Sequence, residues 1–185
     1  MRCFWEISPE GLPPEYCDRL IARANELPAE AGAIGSGRSG MPDVRRSVVR
    51  WLDIDGLDKW IAQDIMFFAN KANRNSFGFD IVGPDAAQFT EYHATDNGKY
   101  DWHQDISWGN PAPYGRKLSF VAQLTDSSEY EGGDFEFFRI PSPGAEFRRR
   151  GAVLVFPSFL QHRVTPVTAG VRQSLVSWIE GPKFR

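Results

Sequence analysis

A chain of 185 residues that is 42% hydrophobic, 14% aromatic and 24% charged has enough apolar material for a buried core, which excludes a disordered or low-complexity segment. A formal net charge of −3 and a pI near 5.6 provide no overall attraction for phosphate and argue against a dedicated nucleic-acid binder. Two cysteines, Cys3 and Cys17, make neither a disulfide framework nor a metal-type spacing and fit a reducing compartment.

The length predicts one domain over 1–185, with mainly helical support over 1–80 and a β core over 81–182. No basic-then-apolar leader follows Met1, and the longest apolar cluster, IMFFA at 65–69, is too short to span a bilayer. A cytoplasmic protein without membrane contact is expected; its oligomeric state is left open.

From Pro13 to Leu27, Tyr16, Leu20, Ile21, Ala24 and Leu27 recur at three and four residues, with Pro13 and Pro14 at the start and Pro28 at the end of a predicted amphipathic helix. AGAIGSGRSGMPD at 31–43 contains a literal G-x-G-x-x-G, but Met41-Pro42-Asp43 follows where a dinucleotide site needs a helix. It reads as a mobile loop. A second helix is predicted from about Leu57 to Asn75, where Trp60, Ile61, Ile65, Phe68 and Ala72 share a face.

Beyond Phe79 the texture changes to short Val-, Phe-, Tyr- and Thr-rich runs cut by Gly, Pro, Asn and Asp. Strands are predicted near 87–93, 99–105, 116–125, 134–138, 152–156, 162–165 and 171–179, a spacing that suggests a sandwich or jelly roll. Arg148-Arg149-Arg150 reads as a solvated turn.

Within YDWHQDISW, His103 and Asp105 stand two apart; on one strand both side chains share a face and can converge on a divalent metal. The bland alternative is a satisfied histidine beside a capping carboxylate. Only three histidines occur, His93, His103 and His162, so a metal site drawing a second imidazole has little choice. On the last predicted strand Arg172, Ser174, Val176 and Trp178 alternate; if that face lines the interior, the buried guanidinium asks for a bound carboxylate or phosphate. Two His and one Asp would also suit zinc. A facial triad with three adjacent free positions, enough for a bidentate co-substrate and dioxygen, favours iron(II).

These residues carry a family pattern. YHATDNGKYDWHQD, YEGGDFEF and GAVLVFPSFLQHRVTPVTAGVRQSLVSWIEG, with an Arg ten residues after the distal His, resemble the iron(II)- and 2-oxoglutarate-dependent dioxygenases in their prolyl 4-hydroxylase-like branch. The resemblance runs from about Gln88 to Pro182 and implies a mainly β fold with flanking α-helices, a double-stranded β-helix (jelly roll) with N-terminal helices packed on its outer face. It implies His103, Asp105 and His162 as iron ligands and Arg172 as partner of the distal carboxylate of 2-oxoglutarate. Tyr92 is the first tyrosine candidate for that carboxylate, although HATDNG holds one residue more than in some relatives; Tyr100 is the second, and Ser174 a further cofactor contact.

The implied reaction is 2-oxoglutarate- and O2-dependent hydroxylation of an unactivated C–H, with ascorbate a candidate reductant and a proline-containing peptide or protein the expected substrate. Trp108 and Trp178 are candidate substrate walls, with plain core packing as the alternative, and the 31–43 and 107–116 loops are candidate lids. His93 is expected to be structural. Competing readings are a hydroxylase of a free amino acid or small metabolite and a non-catalytic jelly-roll binding module. A nucleic-acid demethylase of the same superfamily lacks support, because its R-x-N-x-T-x-R ending is not found here.

Overall fold

The computed structural model describes residues 3–32, 43–109 and 111–184. Twelve strands and two α-helices are seen among them. In chain order these are β1 (Glu6–Ser8), α1 (Pro14–Asn25), β2 (Glu30–Ala31), β3 (Arg45–Arg46), β4 (Val48–Leu52), α2 (Lys59–Ala72), β5 (Gly83–His93), β6 (Lys99–His103), β7 (Tyr114–Gln123), β8 (Tyr130–Gly132), β9 (Phe135–Phe137), β10 (Val153–Pro157), β11 (His162–Val164) and β12 (Val167–Pro182).

The strands form two antiparallel sheets. The larger has the order β1-β10-β7-β12-β5-β4-β2, with β8 also paired to β12; the smaller runs β3-β6-β11-β9. Period-two alternation splits each central strand between two cores. On β12, Leu175 and Ile179 join Phe89 and Phe120 beneath the helices, whereas Val121, Phe135, Phe156 and Val164 pack between the sheets. This is the expected jelly roll with helices on its outer face.

Helix α1 starts where Pro14 occupies the first turn and buries Cys17, Leu20 and Ala24. Helix α2 buries Ile61, Ile65, Phe68, Ala69 and Ala72, each isoleucine contributing about 1.5–3 kcal/mol of burial. Asp58 ties the helices together: it is buried, accepts Arg23 Nε at 2.7 Å, and also accepts the Asp53 N–H at 2.9 Å. The predicted continuation to Asn75 is instead a π-turn over Asn73–Phe77, closed by Gly78 in the left-handed region at φ 69°.

The N-terminal 80 residues contribute more than helices. β1 pairs with β10, β4 with β5, and β3 with β6, so both sheets draw strands from this region. The 31–43 loop lies almost wholly outside the described residues. No described helix is long and apolar enough to cross a membrane.

Candidate active site

Between the sheets lies a cavity of roughly 820 Å³, whose walls include His103, Asp105, His162, Tyr92, Tyr100 and Arg172. The two histidines are direct cross-strand partners, His162 on β11 facing His103 on β6. Asp105 arrives differently from the sequence expectation. Strand β6 ends at His103 instead of running to 105, and Asp105 sits on the following loop, held by its backbone N–H donating to Ser158 O at 3.0 Å.

His103 Nε2 lies 3.8 Å from Asp105 Oδ1, and His162 Nε2 lies 3.6 Å from Asp105 Oδ2. One donor atom from each residue falls within 4.8 Å of the others, close enough to hold a single ion. Each imidazole is oriented through its other nitrogen, Nδ1 of His103 to Asp101 O at 2.8 Å and Nδ1 of His162 to Leu160 O at 2.9 Å. A carbonyl only accepts, so both Nδ1 atoms carry a proton, and Nε2 of each ring is the atom turned to the centre.

Burial, followed by the neighbouring His162, pushes the His103 imidazole down to about 3, against the pull of Asp105, and keeps it neutral as a ligand must be. Burial pushes the Asp105 carboxyl up, but the two imidazoles and the Ser119 hydroxyl, donating to Oδ2 at 2.6 Å, hold it below its ordinary value. His162 is walled by aromatic rings, Phe135 stacked at 5.2 Å and Phe156 edge-on at 4.8 Å.

Arg172 resolves the parity question left open by the sequence: it is on the inner face and only 2% exposed. Its cross-strand partner is Tyr92, with the guanidinium carbon 5.6 Å from the centre of the tyrosine ring. No carboxylate among the described residues pairs with it. A buried unpaired guanidinium is costly, so the cavity calls for an anion at this end. Three ligands with open positions at one end and a buried cation at the other fit a metal-chelating 2-oxo acid with a distal carboxylate.

Tyr92 lies on the cavity wall, and the chain after it turns through a 3₁₀ turn at Ala94–Asp96 and a left-handed Asn97. Tyr100 also faces the cavity; burial pushes its phenol up to about 12, so it stays a neutral O–H. Ser174 lines the cavity two residues on from Arg172, on the same face of β12. Trp178 lines it too, but Trp108 is 64% exposed, packs on Phe184 at 6.2 Å and lies off the cavity wall. Ser107, Gly109 and Pro111 of the 107–116 loop do reach the walls. His93 turns to the other face, 3.9 Å from Glu91.

The sequence reading missed several mouth residues. Trp51 on β4 lies 6.4 Å from Trp178, and Arg116 stacks at 3.8 Å over Trp178 while pairing with Asp85 at 3.0 Å. Arg45 donates to Gln88 Oε1 at 2.7 Å and covers Tyr100 at 4.6 Å. Only strand parity on β4 could have pointed to Trp51, and that strand had not been predicted.

Residues 87–180 match the model of the 2OG-Fe(II) oxygenase superfamily. A PKHD-type hydroxylase of Synechococcus sp. (strain CC9311) is 42% identical over 169 residues, covering 89% of this chain and 72% of that protein. Among solved structures, the Trichoplax adhaerens prolyl hydroxylase in complex with a hypoxia inducible factor oxygen degradation domain peptide fragment matches with TM-score 0.73 and 16% identity, covering 95% of this chain and 82% of that one. The viral collagen prolyl hydroxylase of Paramecium Bursaria Chlorella virus-1 matches with TM-score 0.68 and 19% identity over 97% of both chains. Low identity limits the last two likenesses to the fold, which is the double-stranded β-helix already described. Family model, relative and triad agree, and the chain belongs to the 2OG-Fe(II) oxygenase superfamily as a PKHD-type hydroxylase.

Proposed function

We propose that the protein hydroxylates a prolyl residue of a peptide or protein, with His103, Asp105 and His162 holding iron(II) and Arg172 gripping the distal carboxylate of 2-oxoglutarate. The observation that carries the anchor is the buried, unpaired Arg172 on the same cavity wall as the triad. The family and the triad together imply both iron(II) and 2-oxoglutarate. When bound, the iron would supply O2-dependent oxidative decarboxylation of 2-oxoglutarate to succinate and carbon dioxide, coupled to hydroxylation of a substrate C–H, with one atom of dioxygen going to succinate and the other to the hydroxylated product.

In this reading the chain's own work is placement. Arg172, with the Tyr92 hydroxyl, fixes the co-substrate's far end, and Ser174 completes that end of the pocket. The two Nδ1-to-carbonyl bonds hold the imidazoles in register for the metal. The peptide lies across the mouth, where Trp51 and Trp178 offer an apolar wall and the 107–116 loop excludes water. Support for a peptidyl proline comes from the structural neighbours, two of them prolyl hydroxylases and one of these in complex with a peptide fragment. Ascorbate as external reductant and a cytoplasmic location rest on the family and the sequence alone. Residues 1–185 are read as one domain, because strands from both halves share each sheet.

Anaerobic addition of iron(II) and 2-oxoglutarate is expected to give a weak visible charge-transfer band that is lost in His162→Ala and weakened in Arg172→Ala. Its absence in the metal-loaded protein would remove the oxygenase reading. Proline-containing peptides and free L-proline, compared by mass spectrometry for one added oxygen, separate the substrates: a peptide product supports the proposal, and oxidation of the free amino acid alone replaces it with the small-metabolite reading.

A further inference from the structure

The segment linking β8 and β9 carries two consecutive glycines with positive φ, Gly132 at 69° and Gly133 at 63°. They differ in what a side chain would meet. A Cβ on Gly132 would collide with the backbone carbonyl of Pro166, whereas the atoms nearest a Cβ on Gly133 belong to side chains, Arg172 Cδ at 2.9 Å and Val167 Cγ2 at 2.9 Å. Gly132 is therefore a backbone requirement of the β8–β12 pairing, in register with Val167. The bare Cα of Gly133 is pressed against the stem of Arg172.

Placement gives this contact a direction. Arg172 lines both the main cavity and a smaller one of roughly 210 Å³, while Gly133 lines only the smaller. Gly133 thus backs the arginine from the side away from the triad, and its own backbone is anchored by its N–H donating to Pro166 O at 3.1 Å. An added methyl meets the Arg172 and Val167 side chains first; Val167 is fixed in the core between the sheets, so the long arginine stem is the side that yields, toward the main cavity.

We infer that Gly133 is a positioning residue that sets the distance between the Arg172 guanidinium and the metal triad, and so the length of dicarboxylic 2-oxo acid the enzyme accepts. This rests on the reading of Arg172 as the co-substrate anchor. A Cβ at Gly133 brings the guanidinium closer to the triad, and so shifts preference from the five-carbon diacid toward the four-carbon homologue.

The test is anaerobic binding of 2-oxoglutarate, oxaloacetate and 2-oxoadipate to the iron(II)-loaded protein, followed by tryptophan fluorescence and the charge-transfer band. Gly133→Ala is expected to weaken 2-oxoglutarate about tenfold, a displacement of a fraction of an ångström at a bidentate contact, and 2-oxoadipate more. Oxaloacetate is held as well as before or better, and iron(II) affinity is unchanged. Gly133→Asn carries the same Cβ with a residue more tolerant of left-handed φ, and keeps the test open if the alanine variant does not fold. Unchanged 2-oxoglutarate binding in a folded Gly133 variant, or equal loss for all three acids, overturns the inference. Unchanged binding in Arg172→Ala instead overturns the reading beneath it, so the two failures are distinct.

Discussion

The phenol ring of Tyr100 lies flat on the imidazole of His103, centroids 3.5 Å apart and planes 10° from parallel. Coordination of a divalent ion through Nε2 draws density from the imidazole, and an electron-rich phenol against its face becomes a better partner. Tyr100→Phe is therefore expected to keep metal affinity within about twofold, while Tyr100→Ala loses about three- to tenfold, the worth of one aromatic pair. Metal titration of the two variants checks this; equal affinities would mean that the stack contributes nothing.

Asp105 depends on a hydroxyl pair behind it. Ser119 Oγ donates to Asp105 Oδ2 at 2.6 Å and lies 3.0 Å from Ser158 Oγ, with both serines buried. Ser119→Ala leaves the carboxylate without its outer partner and should weaken metal binding about 10- to 100-fold. Thermal unfolding of the metal-free variant should fall by only about 1 kcal/mol, the worth of an ordinary hydrogen bond. Competition against a chelator reads the first effect and calorimetry the second.

The triad and Arg172 were legible because metal and anion chemistry admit few residue types, and period-two alternation carries Arg172, Ser174, Val176 and Trp178 to one wall. The placement of Asp105 was not. It rests on Ser158 O, 53 residues away and brought near by the pairing of β10 with β7, and local periodicity carries no trace of it. Strands β1, β3 and β4 were missed for a related reason: they are two to five residues long and interrupted by charge. In VVRWL, Arg50 turns to pair with Glu91 while Trp51 turns to the cavity mouth, so neither residue advertises a strand. The π-turn after α2 escaped because its cause, Asn73 bonding both backbone groups of Phe79, lies beyond the helix.

Trp108 and Trp178 divide between surface and wall. Trp178 is 7% exposed beneath Arg116, and Trp178→Ala should cost about 3 kcal/mol of stability, as truncation of a buried aromatic does. Trp108→Ala, at an exposed site, should stay within about 0.5 kcal/mol. If the mouth takes a peptide, Trp108→Ala is then free to raise KM for the peptide without touching the KM for 2-oxoglutarate. Chemical denaturation with steady-state kinetics separates the two behaviours; a large stability loss in Trp108→Ala would contradict its exposure.

On the helix-facing side of the main sheet, the Glu91 carboxylate accepts from the Arg50 guanidinium and, at 3.0 Å, from Gln173 Nε2. Burial pushes this carboxyl up, but the bonds from Arg50 and Gln173, with the charges of Arg50 and His93, outweigh it and hold the group below its ordinary value of 4.5. With the folded value below the unfolded one, the unfolded chain binds more protons in the interval between them, so stability rises with pH there. The contribution is complete above about pH 4.5 and is lost as pH falls through the folded value. Glu91→Gln should be about 2 kcal/mol less stable than the parent at pH 7, because it leaves a largely buried Arg50 without its counter-charge. That deficit should shrink steadily as denaturation is repeated at lower pH, once the parent's own carboxylate takes up its proton; a deficit independent of pH would mean that Glu91 stabilises the sheet by packing and not by charge.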